Sequence, residues 1–175
     1  HKTVLSGIPK VVYLNGSKGV DTNDGSTAKN AVKTFARAAE LLGTYDGLKT
    51  IYVTNTVTIS KDEAWALAGS VNGTVKRYNT FTGALINVSK GASLTLSNII
   101  IDGGKEENTT ATNSLVTVQS GGSFTISEGA VLQNNNKTFA GANGAGGGAV
   151  HNQGTLTING GKIQNNQAVG CGGGV

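Results

Sequence analysis

One pattern, written three times, constrains this chain more than anything else in it: LINVSKGASLTLSNIII from Leu85, LVTVQSGGSFTISEGAV from Leu115 and AVHNQGTLTINGGKI from Ala149. Aligned on LTL, FTI and LTI, the copies put Leu94, Phe124 and Leu156 in one column and Leu96, Ile126 and Ile158 in a second, at offsets of 30 (94 to 124) and 32 (124 to 156) residues. The same alignment gives two more columns, Val88, Val118 and Val150, and Ile101, Val131 and Ile163. Self-similarity at such a period marks a stack of repeats, in which one repeat cannot bury its apolar face alone and its neighbours complete the core. Successive copies of one strand then lie parallel.

Inside each copy the apolar residues alternate at period two and are rich in β-branched types, which is strand spacing and not the three-and-four spacing of a helix. Between strands lie GAS, GGS and QGT, then SN, SEG and NGG, residues suited to tight corners. Polar positions recur too. The alignment stacks Gln133 with Asn165 and Asn134 with Asn166, so their amides can bond from rung to rung across a spacing of about 4.8 Å.

These short strands, glycine corners and asparagine-rich ends resemble the right-handed parallel β-helix family, also called pectate-lyase-like. The segment VYLNGSKGVDTNDGSTAKNAVKTFARAAELL is similar to the opening of many such chains in secreted and surface-anchored bacterial proteins. The resemblance runs from about Val11 onward. It implies an all-β fold, a right-handed parallel β-helix solenoid with an N-terminal capping α-helix, and an extracellular, secreted or wall-anchored location. Function it leaves open, because this scaffold carries lyases, hydrolases, tail spikes and adhesins.

Composition agrees. Only 14% of the 175 residues are charged, and 27 glycines against one proline fit a chain that turns many tight corners. The net charge is +4, yet no run of five basic residues occurs, which points away from nucleic acid. The single cysteine, Cys171, has no partner for an internal disulfide and no zinc-type spacing around it. No apolar run approaches the roughly 20 residues of a membrane span, and the absence of any methionine or signal segment reads as a mature or excised fragment.

Two parts follow: residues 1–49 as lead-in, first strand and cap, and 50–175 as the rungs. The lead-in, His1 to Lys10, precedes a strand at VVYL. In the loop behind it Asp21, Asn23 and Asp24 allow two readings, an Asx-rich turn that starts a helix or a calcium site; the EF-hand pattern fails because its twelfth position is Val32. Lys29 to Leu42 has helical periodicity, with Val32, Phe35, Ala36, Ala39 and Leu42 on one face, Ser26 or Thr27 able to cap its start and Gly43 its end. Laid over the first rung, that helix would cover an otherwise unpaired strand edge. Thr50 to Ile59 alternates as a full rung. Ser60 and Glu63 form a capping box that predicts a short helix through AWALAG.

Candidate ligand-binding residues are Trp65, as a packing residue or a platform for a sugar ring, and the basic-aromatic group Arg77, Tyr78 and Phe81. Catalytic residues are not apparent. The alignment sets Asp102 beside Leu132 and Gln164, and His151 beside Gln119 and Ser89, so neither finds a partner for acid-base or metal chemistry, and no three acids share a face. The expected function is non-catalytic adhesion or glycan binding at a host or glycan surface, with no cofactor unless the Asp21 loop takes calcium. The alternative is a polysaccharide lyase or glycoside hydrolase whose catalytic rungs lie in the loops or outside this stretch.

Overall fold

The computed structural model describes residues 9–138, 146–170 and 172–175. Cys171, most of the lead-in and the middle of the glycine-rich loop (139–145) lie outside the described residues. The described chain opens with strand β1 (Lys10–Asn15) and the helix α1 (Phe35–Leu42), the one helix among these residues. It then passes through β2 (Lys49–Asn55), β3 (Val57–Ile59), β4 (Glu63–Trp65) and β5 (Thr74–Arg77). The next turn is β6 (Ile86–Val88), β7 (Ser93–Leu96) and β8 (Ile100–Asp102), and the one after is β9 (Val116–Val118), β10 (Ser123–Ser127) and β11 (Val131–Gln133), followed by β12 (Asn136–Lys137). The last is β13 (Val150–Asn152), β14 (Thr155–Asn159) and β15 (Lys162–Gln164), with β16 (Gln167–Ala168) behind it.

Every strand-strand ladder among the described residues is parallel. Three sheets result, β1-β2-β5-β8-β11-β15, β3-β6-β9-β13 and β4-β7-β10-β14, with β12 and β16 as a separate pair. From β3 onward the chain visits the sheets in a fixed cycle. The fold of the described residues is therefore all-β, built of parallel strands with one helix. Its apolar side chains form one buried cluster that takes residues from all three sheets and from α1. Among the described residues no helix is long and apolar enough to cross a membrane.

Two of the expected columns are present. Leu94 pairs with Phe124 and Phe124 with Leu156, and Leu96 with Ile126 and Ile126 with Ile158. Leu94, Leu96, Phe124 and Ile126 are fully buried, whereas Ile158, on the last strand of its sheet, is 51% exposed because no further strand covers it.

The other two columns need correction. From Leu96 to Ile100 is four residues, but from Ile126 to Val131, in the same register, it is five, the corner at Gly129 taking one more. Ile101 therefore stacks on Leu132 and Ile163, not on Val131, and Asp102 on Gln133 and Gln164, not on Leu132. A slip of one residue moves a side chain to the opposite face. On the first four-stranded sheet Val150 pairs with Val116 instead of Val118, which places His151 beside Thr117 and Asn87. The amide ladder exists one position away from where the alignment put it. Gln164 donates to Gln133 at 3.0 Å, Asn165 to Asn134 at 2.6 Å, and the Asn135 backbone N–H to Asn166 at 3.0 Å.

Local signals mislead twice near the N-terminus. The helix begins at Phe35, capped by the Thr34 hydroxyl, not at Lys29. Residues before it are drawn onto the free edge of β1, where the Val32 N–H donates to the Tyr13 carbonyl and the Val32 and Gly25 carbonyls accept from the Asn15 and Tyr13 N–H groups, which satisfies the strand. Gly43 closes the helix as expected, with φ of 57° and its N–H on the Ala39 carbonyl. The capping box at Ser60 starts no helix. Residues Glu63–Trp65 form β4 because β7 needs a ladder partner, and the Glu63 carboxylate accepts from the Trp65 indole at 2.8 Å instead of from a helix start. The segment read as a full rung, Thr50 to Ile59, holds two strands, the chain breaking at Thr56 so that β2 and β3 enter different sheets.

Candidate functional site

Alternation along the six-stranded sheet sends Val75, Ile101, Leu132 and Ile163 inward and leaves the residues between them outside. The outer side chains form one in-register column, Tyr13, Tyr52, Lys76, Asp102, Gln133 and Gln164. At one end, Tyr13 and Tyr52 stack with ring centres 5.6 Å apart, and Tyr78 meets both edge-on at 5.8 and 6.1 Å. All three rings are half-buried. Further along, Lys76, Asp102, Lys105, Glu107, Asn134 and Asn165 line a polar cleft of about 250 Å³.

Asp102 sits at the centre of that cleft, 9% exposed. Its carboxylate accepts from the Gly104 N–H at 2.7 Å, the Gln133 amide at 2.9 Å and the Asn134 amide at 2.8 Å. A carboxylate with three donors is well satisfied. It also fixes the direction of the ladder: Gln164 donates to Gln133, which donates to Asp102, and in parallel Lys105 donates to Asn165 at 2.7 Å, Asn165 to Asn134, and Asn134 to Asp102. Lys76 forms an ion pair with Glu107 at 2.8 Å. Burial, the largest influence, pulls the Lys76 ammonium down, but the hydrogen bond and charge of Glu107, helped by Tyr52 and Asp102, hold it above the ordinary lysine value. Glu106 joins Asp102 and Glu107 in the lining, so three acids do share a cleft, contrary to the reading from sequence.

Of the four residues singled out for ligands, two are buried. Trp65 is 1% exposed, with one face on Phe35 at 4.2 Å and 8°. A cleft of about 390 Å³ between the start of α1 and β4 has both residues of this pair in its lining. Arg77, also 1% exposed, points inward beside Val75 and donates to the Gly83 carbonyl and, at 3.1 Å, to Asn135. With no carboxylate partner among the described residues, its guanidinium is pulled down to about 10 by burial. Phe81 lies with Arg77, its ring centre 5.9 Å from the guanidinium carbon. Tyr78 alone joins the outer face. Gly103 makes room for the Arg77–Asn135 contact: a Cβ there would come within 2.5 Å of the Asn135 backbone.

Asp21, Asn23 and Asp24 hold their own loop. The Asp21 carboxylate accepts from the backbone of Lys33 and Thr34 and from the Thr34 hydroxyl, Asn23 donates to the Ala31 carbonyl, and Asp24 accepts from Ser26. A cation bound there would compete with these donors. Among the described residues no group of three or more His, Cys, Asp or Glu is placed to hold a metal ion.

Burial, the largest influence on Asp21, raises its carboxyl, but the Thr34 and Lys33 bonds and the charge of Arg37 outweigh it and leave it below the ordinary value. Ser26 lowers Asp24, and Ser70 lowers Asp46, in the same way. Folded values below the unfolded one mean that the stabilisation is complete above the unfolded value and lost as pH falls through the folded values. The urea midpoint is expected to hold steady down to about pH 5 and to fall below about pH 4. Asp21→Ala should lower it at neutral pH and flatten part of the acid decline; an unchanged acid limb would show that these bonds add nothing.

No known protein family, curated protein or solved structure matches this chain.

Proposed function

We propose that this chain is a non-catalytic, glycan-binding part of an extracellular bacterial surface protein, and that its sheets close into a right-handed parallel β-helix. The fixed cycle through three parallel sheets supports the solenoid, since connections between parallel strands of one sheet are right-handed in nearly all proteins. The observation that carries the binding role is the outer column of the six-stranded sheet, where tyrosine rings, amides and a firmly held carboxylate follow one another in register. Flat rings and fixed donors and acceptors suit a hydroxyl-rich ligand.

One observation favours a second reading, a polysaccharide lyase or hydrolase. Asp102, Glu106 and Glu107 line the same cleft as Lys76 and Lys105. Against it, the Asp102 carboxylate is occupied by three amide donors, which leaves it poorly placed to exchange a proton with a substrate.

Incubation with pectins, glycosaminoglycans, mucin glycans and neutral plant glycans, with and without calcium, separates the two. Retention without reducing ends or unsaturated uronates is expected. Formation of either product, or of a calcium-dependent one, would establish the enzyme reading in its place.

A further inference from the structure

We infer that the ligand is an uncharged, linear glycan lying along the outer column of the six-stranded sheet, one end on the Tyr13–Tyr52–Tyr78 platform and the other over Gln133 and Gln164. This rests on the glycan-binding reading and narrows it.

Shape comes first. Six side chains in register, one per strand, make five steps of about 4.8 Å, a straight track of about 24 Å. A ligand that uses both ends must be extended. The face of a sheet also offers no free backbone N–H or C=O, since those are spent between strands, so a peptide cannot add to it as another strand. What the track presents is rings and side-chain amides.

Charge decides the rest. Lys76 and Lys105 face Asp102, Glu106 and Glu107 in the cleft, two cations against three carboxylates, a formal sum of −1. Both cations are engaged, Lys76 by Glu107 and Lys105 by Asn165. A polyanion laid here would meet a slightly negative cleft and would have to break the Lys76–Glu107 pair. A neutral chain meets the amides of Gln133 and Gln164, which Asp102 holds in one orientation, and so pays little to order them.

The test is titration of the whole chain, by calorimetry or affinity electrophoresis, with cellobiose, cellohexaose, xylohexaose, polygalacturonate and heparin in low and high salt. The expected result is binding of a neutral hexasaccharide, little of the disaccharide, and an affinity that salt leaves unchanged. Tyr52→Leu keeps apolar bulk on the sheet but removes the ring, and should weaken hexasaccharide binding about tenfold. Gln164→Ala, at an exposed position, should weaken it too without changing the melting temperature. Preference for polygalacturonate or heparin, lost in salt, would overturn this inference and leave glycan binding standing. Failure to bind any of the five, together with the pectins and mucin glycans, would overturn both.

Discussion

Phe124→Ala is expected to cost about 3–5 kcal/mol of unfolding free energy. Phe124 is fully buried in the middle of a column, with Leu94 on the strand to one side and Leu156 on the strand to the other. Parallel ladders fix both neighbouring backbones, so little can collapse into the space the ring leaves, and the cavity adds to the lost transfer energy. Leu156→Ala is the internal comparison. It lies on the last strand of that sheet and is only half-buried, so its loss should be well below that of Phe124. Urea unfolding followed by circular dichroism reads both. A Phe124→Ala shift under about 1 kcal/mol, or equal shifts for the two variants, would mean that the column does not face a common interior.

The parts of the fold that the sequence reveals are those where side-chain alternation alone decides the outcome. Leu94, Phe124 and Leu156 are legible because each stands two residues from another apolar residue in a strand with only one inward face. Corners are not constrained in that way. One extra residue around Gly129 is invisible to an alignment that keeps the offset constant, and it hid the column in which Asp102, Gln133 and Gln164 follow one another. The candidate cleft was missed for that reason, along with Lys76, which stands next to Asp102 only through pairing between β5 and β8. Arg77, by contrast, is legible in the sequence as a buried residue. In TVKR it sits two residues after Val75, so a strand that buries Val75 buries Arg77 as well. The capping box at Ser60 failed differently, since a local preference worth about 1 kcal/mol yields to a ladder that seats a buried tryptophan.

Phe35→Asp is expected to open the N-terminal end of the stack. Phe35, Ala38 and Leu42 are the buried face of α1, and the Phe35 ring lies flat on Trp65 of β4, the end strand of its sheet. A carboxylate in place of the ring would share a cleft with Asp62 and with Glu63, whose own carboxylate already takes the Trp65 indole N–H, against the one cation Lys61 in that lining. Leaving an uncompensated charge buried costs about 3–5 kcal/mol, so the helix should lift away instead. That would bare Trp65 on β4, the end strand of its sheet and a template for pairing with another chain. Trp65 is the only tryptophan, so its emission reports the event directly. A red-shifted emission at neutral pH and concentration-dependent association by light scattering are expected for Phe35→Asp, and neither for Phe35→Leu. Native emission from a monomeric Phe35→Asp variant would show that the end of the stack is stable without its helix.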